Sequence, residues 1–115
     1  MRASNPSFMN GVPELLILRL LRAHEMYGYE IVQAIREETA DVVSLGEGVV
    51  YPVLHGLEKA GAITSRRLPV GGRSRIYYTL VPAGEARLSE LTSSWSRLTR
   101  AVERVLRADG DAATA

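Results

Sequence analysis

The stretch SRRLPVGGRSRIYY, from Ser65 to Tyr78, contains two adjacent glycines typical of a turn, four arginines and no acidic residue. Its adjacent glycines, Gly71 and Gly72, suit the left-handed backbone that a two-residue hairpin turn requires. Apolar and polar residues alternate along the second arm, as they do in a strand with one buried face. The stretch therefore predicts a short antiparallel hairpin with positive charge on both arms.

This positive charge is local, because the whole chain has a formal net charge of only +1. Residues 1–58 hold eight acids and four arginines, residues 59–84 hold Lys59 and four arginines without an acid, and residues 85–115 are balanced. Local charge density governs a binding footprint more than the total does. The hairpin is thus a candidate surface for an anionic partner. The alternative is that its charge faces solvent and only prevents the strand edge from pairing with the strand edges of other molecules.

Three helices are predicted before the hairpin. The segment from Glu14 to Ala23 is apolar on nearly every face, as in a buried helix. After the break HEMYGYE, the segment YEIVQAIREET has apolar residues at helical spacing. After the connector TADVVSLGEG, the segment VVYPVLHGLEKAG is the third helix, which is expected to start late or bend at Pro52. Gly61 is expected to end it.

The third helix has an apolar side and a polar side. Glu47, Tyr51, His55 and Glu58 fall on the polar side. Tyr51 and His55 can donate hydrogen bonds to phosphates or bases; the alternative packs Tyr51 against the hairpin and leaves His55 merely exposed. This side lacks Arg, Asn and Gln, the usual bidentate readers of guanine and adenine. Base specificity is therefore expected from few contacts, from the hairpin or from DNA shape.

Three helices followed by a hairpin form the winged helix-turn-helix arrangement. There the third helix enters the major groove of DNA and the hairpin, or wing, lies along the backbone or a minor groove. Phosphate contact then becomes the favoured interpretation of Arg66, Arg73 and Arg75. Gly72 at the tip lets the backbone approach DNA closely.

A final helix is predicted from Pro82 to Ala108, followed by a flexible tail, residues 109–115. Its apolar residues repeat at intervals of three and four, which is the spacing of a coiled-coil seam. The seam residues are Leu88, Leu91, Trp95, Leu98, Val102 and Val105. This spacing predicts a homodimer through the final helix; the alternative is a helix folded back on its own domain.

Trp95 is the single tryptophan of the chain and has serines as close neighbours. The spacing favours Trp95 as an anchor of the dimer interface. The alternative is a platform on which a small flat aromatic ligand stacks, because the small neighbours leave room beside the indole.

Composition excludes several classes of protein. The chain has 115 residues, 46% of them hydrophobic and 23% charged, which is typical of one globular domain. It contains no cysteine and two histidines without metal-ligand spacing, and it has no nucleotide-binding or hydrolase motif. No cofactor, no metal and no enzymatic activity are expected. The longest apolar run is too short to span a membrane, no signal peptide is expected, and a cytoplasmic location follows.

Three stretches together resemble the PadR family of bacterial transcription regulators. They are YGYEIVQAI, GEGVVYPVLHGLEKAGAI and GGRSRIYYTLVPAGEARL, within a resemblance that covers about residues 12–107. The resemblance implies a winged helix, a C-terminal dimerisation helix and a repressor that small molecules release from DNA. SSWSRLTRAVERVL is similar to members that sense several drugs with a tryptophan at the dimer centre, which strengthens the ligand interpretation of Trp95.

Residues are carried over from the family where its motifs match. These positions are Tyr29, Tyr51, Pro52, Gly71, Gly72, Arg73, Arg75, Tyr77 and Tyr78. At four positions this sequence differs from the residue that the family often has. Gly46 stands in place of a capping serine, and Val49 in place of a threonine that can reach DNA. Gly56 stands in place of an arginine, and Val81 in place of a capping threonine. The resemblance implies that Tyr29 and the position of Val49 take part in DNA binding.

The sequence thus predicts a mainly α protein with a small β-hairpin, in three parts: a winged helix-turn-helix domain (1–81), a dimerisation helix (82–108) and a tail (109–115). The predicted function is a homodimeric, sequence-specific regulator of transcription that binds double-stranded DNA as a repressor, with a small aromatic effector at the dimer centre. A winged-helix module that binds an acidic protein, and a small-molecule-binding protein without a regulatory role, are the alternatives.

Overall fold

The computed structural model describes the backbone of residues 11–114 and the side chains of residues 11–108. Its elements follow the predicted order, with one addition. They are α1 (Val12–Ala23), β1 (Met26–Tyr27), α2 (Gly28–Glu38), α3 (Glu47–Lys59), β2 (Ile63–Val70), β3 (Arg73–Leu80) and α4 (Pro82–Thr114). The architecture is mainly helical with a small antiparallel sheet, so the predicted fold class is confirmed.

The core forms where the first three helices meet. α1 is apolar on nearly every face because it contacts α2, α3, α4 and β3. Burial of such side chains is the main favourable contribution to folding, at about 1.5–3 kcal/mol each. The largest side chains that are fully buried are Ile17, Leu18, Ile31, Ile35, Leu45, Val50 and Leu54.

α3 begins at Glu47 and is helical through Pro52, so the predicted late start is wrong. Pro52 lacks only the N–H that would meet the carbonyl oxygen of Gly48. Because Gly48 is exposed, water can satisfy that oxygen. The predicted end is confirmed: Gly61 has φ +82°, and the N–H of Ala62 donates to the carbonyl of Leu57 at 2.9 Å.

The sheet has three strands in the order β1-β3-β2, not the two that were predicted. β1 pairs antiparallel with β3, with Met26 opposite Tyr78 and Tyr27 opposite Tyr77. The sequence interpretation treated this segment as a break, because two residues are too few to show the alternation that identifies a strand. Gly28 is likewise the first helical residue of α2 instead of a break.

The turn of the hairpin agrees with the sequence prediction. Val70 lies opposite Arg73, which leaves Gly71 and Gly72 as a two-residue loop. Both have positive φ, +56° and +79°, as a type I′ turn requires. The wing (Ile63–Leu80) therefore has a fixed register, and this register decides which face each arginine occupies.

α4 extends beyond the predicted helix end at Ala108 and is helical to Thr114. The predicted flexible tail is thus helical in residues 109–114, and Ala115 lies outside the described residues. The Cα radius of gyration is 17.1 Å, against about 13 Å for a compact domain of this size. α4 therefore projects well past the domain from which it starts.

Candidate nucleic-acid interface

Arg75 on the wing is held in place by an aromatic pair. Its guanidinium lies over the Tyr27 ring, 4.3 Å from the ring centroid. Tyr27 in turn meets Tyr77 edge to face, with 5.4 Å between ring centroids. Stacking uses the face of the guanidinium and leaves its in-plane N–H groups available to an anion. β1, which the sequence did not predict, thus orients a predicted DNA-binding residue.

The tip of the wing carries charge that no carboxylate neutralises among the described side chains. Arg73 is exposed beside Gly72, and no acid lies within 4 Å of Arg67, Arg73 or Arg75 among the described side chains. Arg67 donates to the hydroxyl of Ser74, at 3.4 Å. Guanidinium groups in this state are suited to bidentate phosphate contacts.

Arg66, unlike the other arginines of the wing, is ion-paired within the chain. Its Nε and Nη2 donate to the carboxylate of Glu25 at 3.2, 2.9 and 2.8 Å. Thr79 also donates to Glu25, at 3.5 Å. The charge of Arg66 is therefore engaged within the chain, where it ties β2 to the segment between α1 and β1. Within the chain, Arg66 thus anchors the wing, and its contact with DNA stays a prediction.

Arg67 is the wing arginine that the sequence interpretation left out. It lies opposite Ile76, and Ser65 lies opposite Tyr78. Paired residues share a face of the sheet, so Arg67 is on the same face as the buried Tyr78. That face borders the cleft between α3 and the wing, lined in part by Tyr51, His55 and Arg67. The register places Arg66, Arg73 and Arg75 on the opposite face, so Arg67 adds positive charge on the cleft side of the wing.

Tyr51 packs inside this cleft. A Cβ atom on Gly28 would lie 2.4 Å from the Tyr51 ring, so the ring rests directly on the first turn of α2. Burial, and secondarily the carboxylate of Glu47, raises the pKa of Tyr51. Burial also raises the pKa of Tyr78. Tyr51 is half-buried and rests on α2, whereas the alternative interpretation of the sequence packed it against the hairpin. Its hydroxyl stays protonated and can still donate.

Tyr29 on α2 is 49% exposed. Its hydroxyl oxygen accepts a hydrogen bond from Nε2 of Gln33 at 2.6 Å. That contact fixes the ring on the surface and leaves the hydroxyl proton for another acceptor. The position is therefore compatible with the phosphate contact that the resemblance implies.

The exposed face of α3 includes His55, which was predicted, together with residues that were not. Gly48, Pro52, His55 and Lys59 are all exposed and follow one another at helical spacing. Glu58 instead accepts a hydrogen bond from the hydroxyl of Ser65 on β2, at 2.6 Å. His55 remains a candidate contact. Lys59 is an addition that the sequence interpretation did not make.

The apolar stripe of α4 divides into two parts. Leu88 is only 4% exposed and belongs to the core, with Leu91 packed against it. Leu88 was predicted in the dimer seam, but it has almost no surface left for a partner because the start of α4 packs on α1. The exposed fractions of Trp95, Leu98, Val102 and Val105 are 41%, 52%, 48% and 70%.

An ion pair joins α4 to the start of α1. Nε of Arg87 donates to the carboxylate of Glu14, and Nη2 donates to the same group at 3.2 Å. This contact raises the pKa of Arg87. Near it, Trp95, Leu98 and Leu91 border an apolar cleft of about 180 Å³ against Val12 and Leu15.

Two further results concern what the described chain contains. No group of three or more His, Cys, Asp or Glu residues there could hold a metal ion. No helix in the same part of the chain is both long and apolar enough to cross a membrane.

The fold and its basic wing define a winged-helix DNA-binding protein. Residues 17–90 match the family described as the transcriptional regulator PadR-like family. The transcriptional regulator Rv3488 of Mycobacterium tuberculosis is 33% identical over 95 residues, which cover 83% of this chain and 86% of that protein.

Solved structures of transcriptional regulators share the fold of this chain. A transcriptional regulator from Clostridium thermocellum superposes with a TM-score of 0.81 at 27% identity, covering 86% of this chain and 97% of the other. A PadR family transcriptional regulator from Eggerthella lenta superposes with a TM-score of 0.77 at 26% identity, covering 87% and 86%.

The chain belongs to the PadR-like family of transcriptional regulators. Members of this family are non-enzymatic regulators that bind DNA and typically dimerise. The predicted family and the predicted absence of enzymatic activity are therefore confirmed.

Proposed function

We propose that this chain is a homodimeric repressor that recognises a specific operator, with α3 in the major groove and the wing on the DNA backbone or a minor groove. Single wings and single α3 helices bind weakly, and a dimer presents two of each to two half-sites. The proposed action on operator DNA supports a cytoplasmic location.

The observation that carries this proposal is the state of the wing. Arg67, Arg73 and Arg75 have no carboxylate partner among the described side chains, whereas Arg66 is paired with Glu25. The ion pair of Arg66 fixes the base of the wing, and the arginines without a partner toward the tip can bind phosphates. A surface that only repels other strand edges would not require Arg75 to be oriented on an aromatic ring.

Operator binding is tested by titrating the protein against DNA from upstream of its own gene, with a scrambled duplex as control, at several salt concentrations. If about six phosphates are contacted per dimer, log affinity falls with log salt at a slope of roughly −5. Preference for the native duplex with that slope supports the proposal. Weak and equal binding to both duplexes would instead support a module that binds an acidic protein.

We propose further that residues 82–108 form the dimerisation helix and residues 1–81 the DNA-binding domain. The exposed part of the α4 stripe supports this, because Trp95, Leu98, Val102 and Val105 keep about half of their surface in the single chain. Apolar surface that stays exposed to water is unfavourable by about 25 cal/mol per Å². A second copy of the chain would cover this stripe with a matching one.

Leu98→Glu combined with Val102→Glu is expected to weaken the dimer by about 1,000-fold or more, since four large apolar contacts are lost per dimer. Sedimentation velocity measures the change. The matched control is Arg100→Glu, which adds a glutamate between these positions but outside the stripe and leaves the dimer intact. A double variant that remains dimeric would refute α4 as the interface.

A small flat aromatic effector near Trp95 completes the proposal. The apolar cleft beside Trp95 supports this part of the proposal. One cleft has a volume of about 180 Å³, which is less than the roughly 300–1,000 Å³ of typical ligand sites. Two such clefts, brought together in a dimer, would reach that range. Because Trp95 is the single tryptophan, quenching of its fluorescence by planar aromatic dyes, with loss of operator binding, tests this part.

A further inference from the structure

The first two exposed turns of α3 carry almost no hydrogen-bonding side chain. The exposed residues there are Gly48, Val49 and Pro52, preceded by the exposed N-cap Gly46. Two polar side chains lie in these turns. Tyr51 is half-buried against Gly28 and has a single hydroxyl. Glu47 is exposed, and its carboxylate can only accept hydrogen bonds. This part of α3 cannot therefore read guanine or adenine bidentately in the usual way.

The backbone of these turns is open to close approach. A Cβ atom added at Gly46 or at Gly48 would meet no other part of the chain within 4 Å. The space outside these glycines is thus free for another molecule. Val49 lies beside them with 40% of its surface exposed, and its branched methyl groups present apolar surface there.

An exposed apolar side chain in the major groove has one natural counterpart on a base edge. The C5-methyl group of thymine is the apolar feature there, whereas the other groups are hydrogen-bond donors and acceptors. Methyl-to-methyl contact also needs the close approach that Gly46 and Gly48 allow. Pro52, one turn after Gly48, extends the same apolar surface without adding a donor.

We infer that Val49, supported by Pro52, recognises a thymine C5-methyl group in each operator half-site. The inference rests on the proposed function, because it requires α3 to enter the major groove. It gives the operator a defined chemical requirement: a thymine opposite the N-terminal turns of α3, whose specific contribution is its methyl group.

The test uses an operator that has first been shown to bind in preference to a scrambled duplex. Each thymine is then replaced singly by deoxyuridine, which removes the methyl group and keeps every hydrogen-bonding group. At one or two positions per half-site, the wild-type protein is expected to lose affinity by about fourfold, the effect of one buried methyl-sized group. Simultaneous replacement in both half-sites should lower affinity by about 16-fold.

The variants identify the residue that makes the contact. Val49→Ala is expected to bind the thymine and deoxyuridine operators equally, whereas Val49→Thr, which keeps one methyl group, retains part of the difference. Val42→Ala is the matched control, because Val42 is 84% exposed and lies outside α3, and it should keep the full fourfold effect. Circular dichroism confirms that each variant is folded.

Two failures are distinguishable. If the native duplex is not preferred to the scrambled one, the proposed function fails before deoxyuridine is used. If the native duplex is preferred but no single deoxyuridine lowers affinity, or if Val49→Ala keeps the full deoxyuridine effect, the methyl contact of Val49 is refuted while operator binding stands.

Discussion

Arg73→Glu combined with Arg75→Glu is expected to lower operator affinity by at least about 100-fold and to flatten its salt dependence. Each dimer carries two wings, so the double variant removes four positive charges from the proposed phosphate contacts and adds four negative ones. If the wild-type slope of log affinity against log salt is roughly −5, the loss of four of about six contacts leaves a slope of roughly −2. Fluorescence anisotropy with a labelled operator measures both quantities.

This variant is not expected to unfold the protein. Arg73 is exposed at the tip, and neither arginine has an ion-pair partner among the described side chains. Arg75 gives up its contact with the Tyr27 ring, 4.3 Å away, which is worth about 0.5–1 kcal/mol at an exposed site. A melting temperature close to that of the wild type therefore assigns the lost affinity to the interface.

Arg66 and Arg75 form a matched pair for a milder version of the test. Arg75→Gln should reduce the magnitude of the salt slope by about two units per dimer, because one phosphate contact is lost from each wing. Arg66→Gln should leave the slope nearly unchanged, because Glu25 already engages that charge. Equal changes in both variants would contradict the division of the wing into a phosphate-binding tip and an anchored base.

Gly84→Ala is expected to lower stability by about 3 kcal/mol, the upper end of the usual cost of overpacking. A Cβ atom at Gly84 would lie 2.1 Å from the carbonyl oxygen of Ala62 and 2.6 Å from Cδ1 of Leu80. The first of these is backbone, which cannot rotate away. The same Ala62 carbonyl accepts a hydrogen bond from the N–H of Val81 at 3.3 Å, so moving it would break the junction between the wing and α4.

The measurement is thermal unfolding. For a domain of this size about 3 kcal/mol corresponds to a melting temperature lower by roughly 10–20 °C. Gly56→Ala is the control within another helix: nothing lies within 4 Å of its added Cβ. It should raise stability by about 0.5–1 kcal/mol, as a helix-interior alanine does relative to glycine. A Gly84→Ala protein as stable as the wild type would contradict the docking of α4 at this point.

The helices and the hairpin could be predicted from the sequence because their signals are local. Apolar spacing identifies α1, α2, α3 and α4, and the pair Gly71-Gly72 fixes both the turn and the register of the wing. These features depend on residues a few positions apart along the chain. The order of elements was then enough to predict the winged-helix arrangement and a basic surface suited to DNA.

The roles of individual residues depended on contacts between segments distant in sequence. Arg66 and Glu25 are separated by 41 residues, and neither position shows which arginine of the wing will be neutralised. β1 is only two residues long and exists because β3 offers it hydrogen-bonding partners. Leu88 follows the same heptad spacing as Trp95, yet it is buried where α4 begins on α1.

The sequence by itself therefore determined the family, the helices, the hairpin and the location of the charge, since periodicity, turn residues and composition are properties of short segments. Only the tertiary structure decided which charges remain available to DNA and which apolar residues remain open to a partner. The physical reason is that ion pairing and burial depend on distances of a few ångströms between elements, and packing sets those distances.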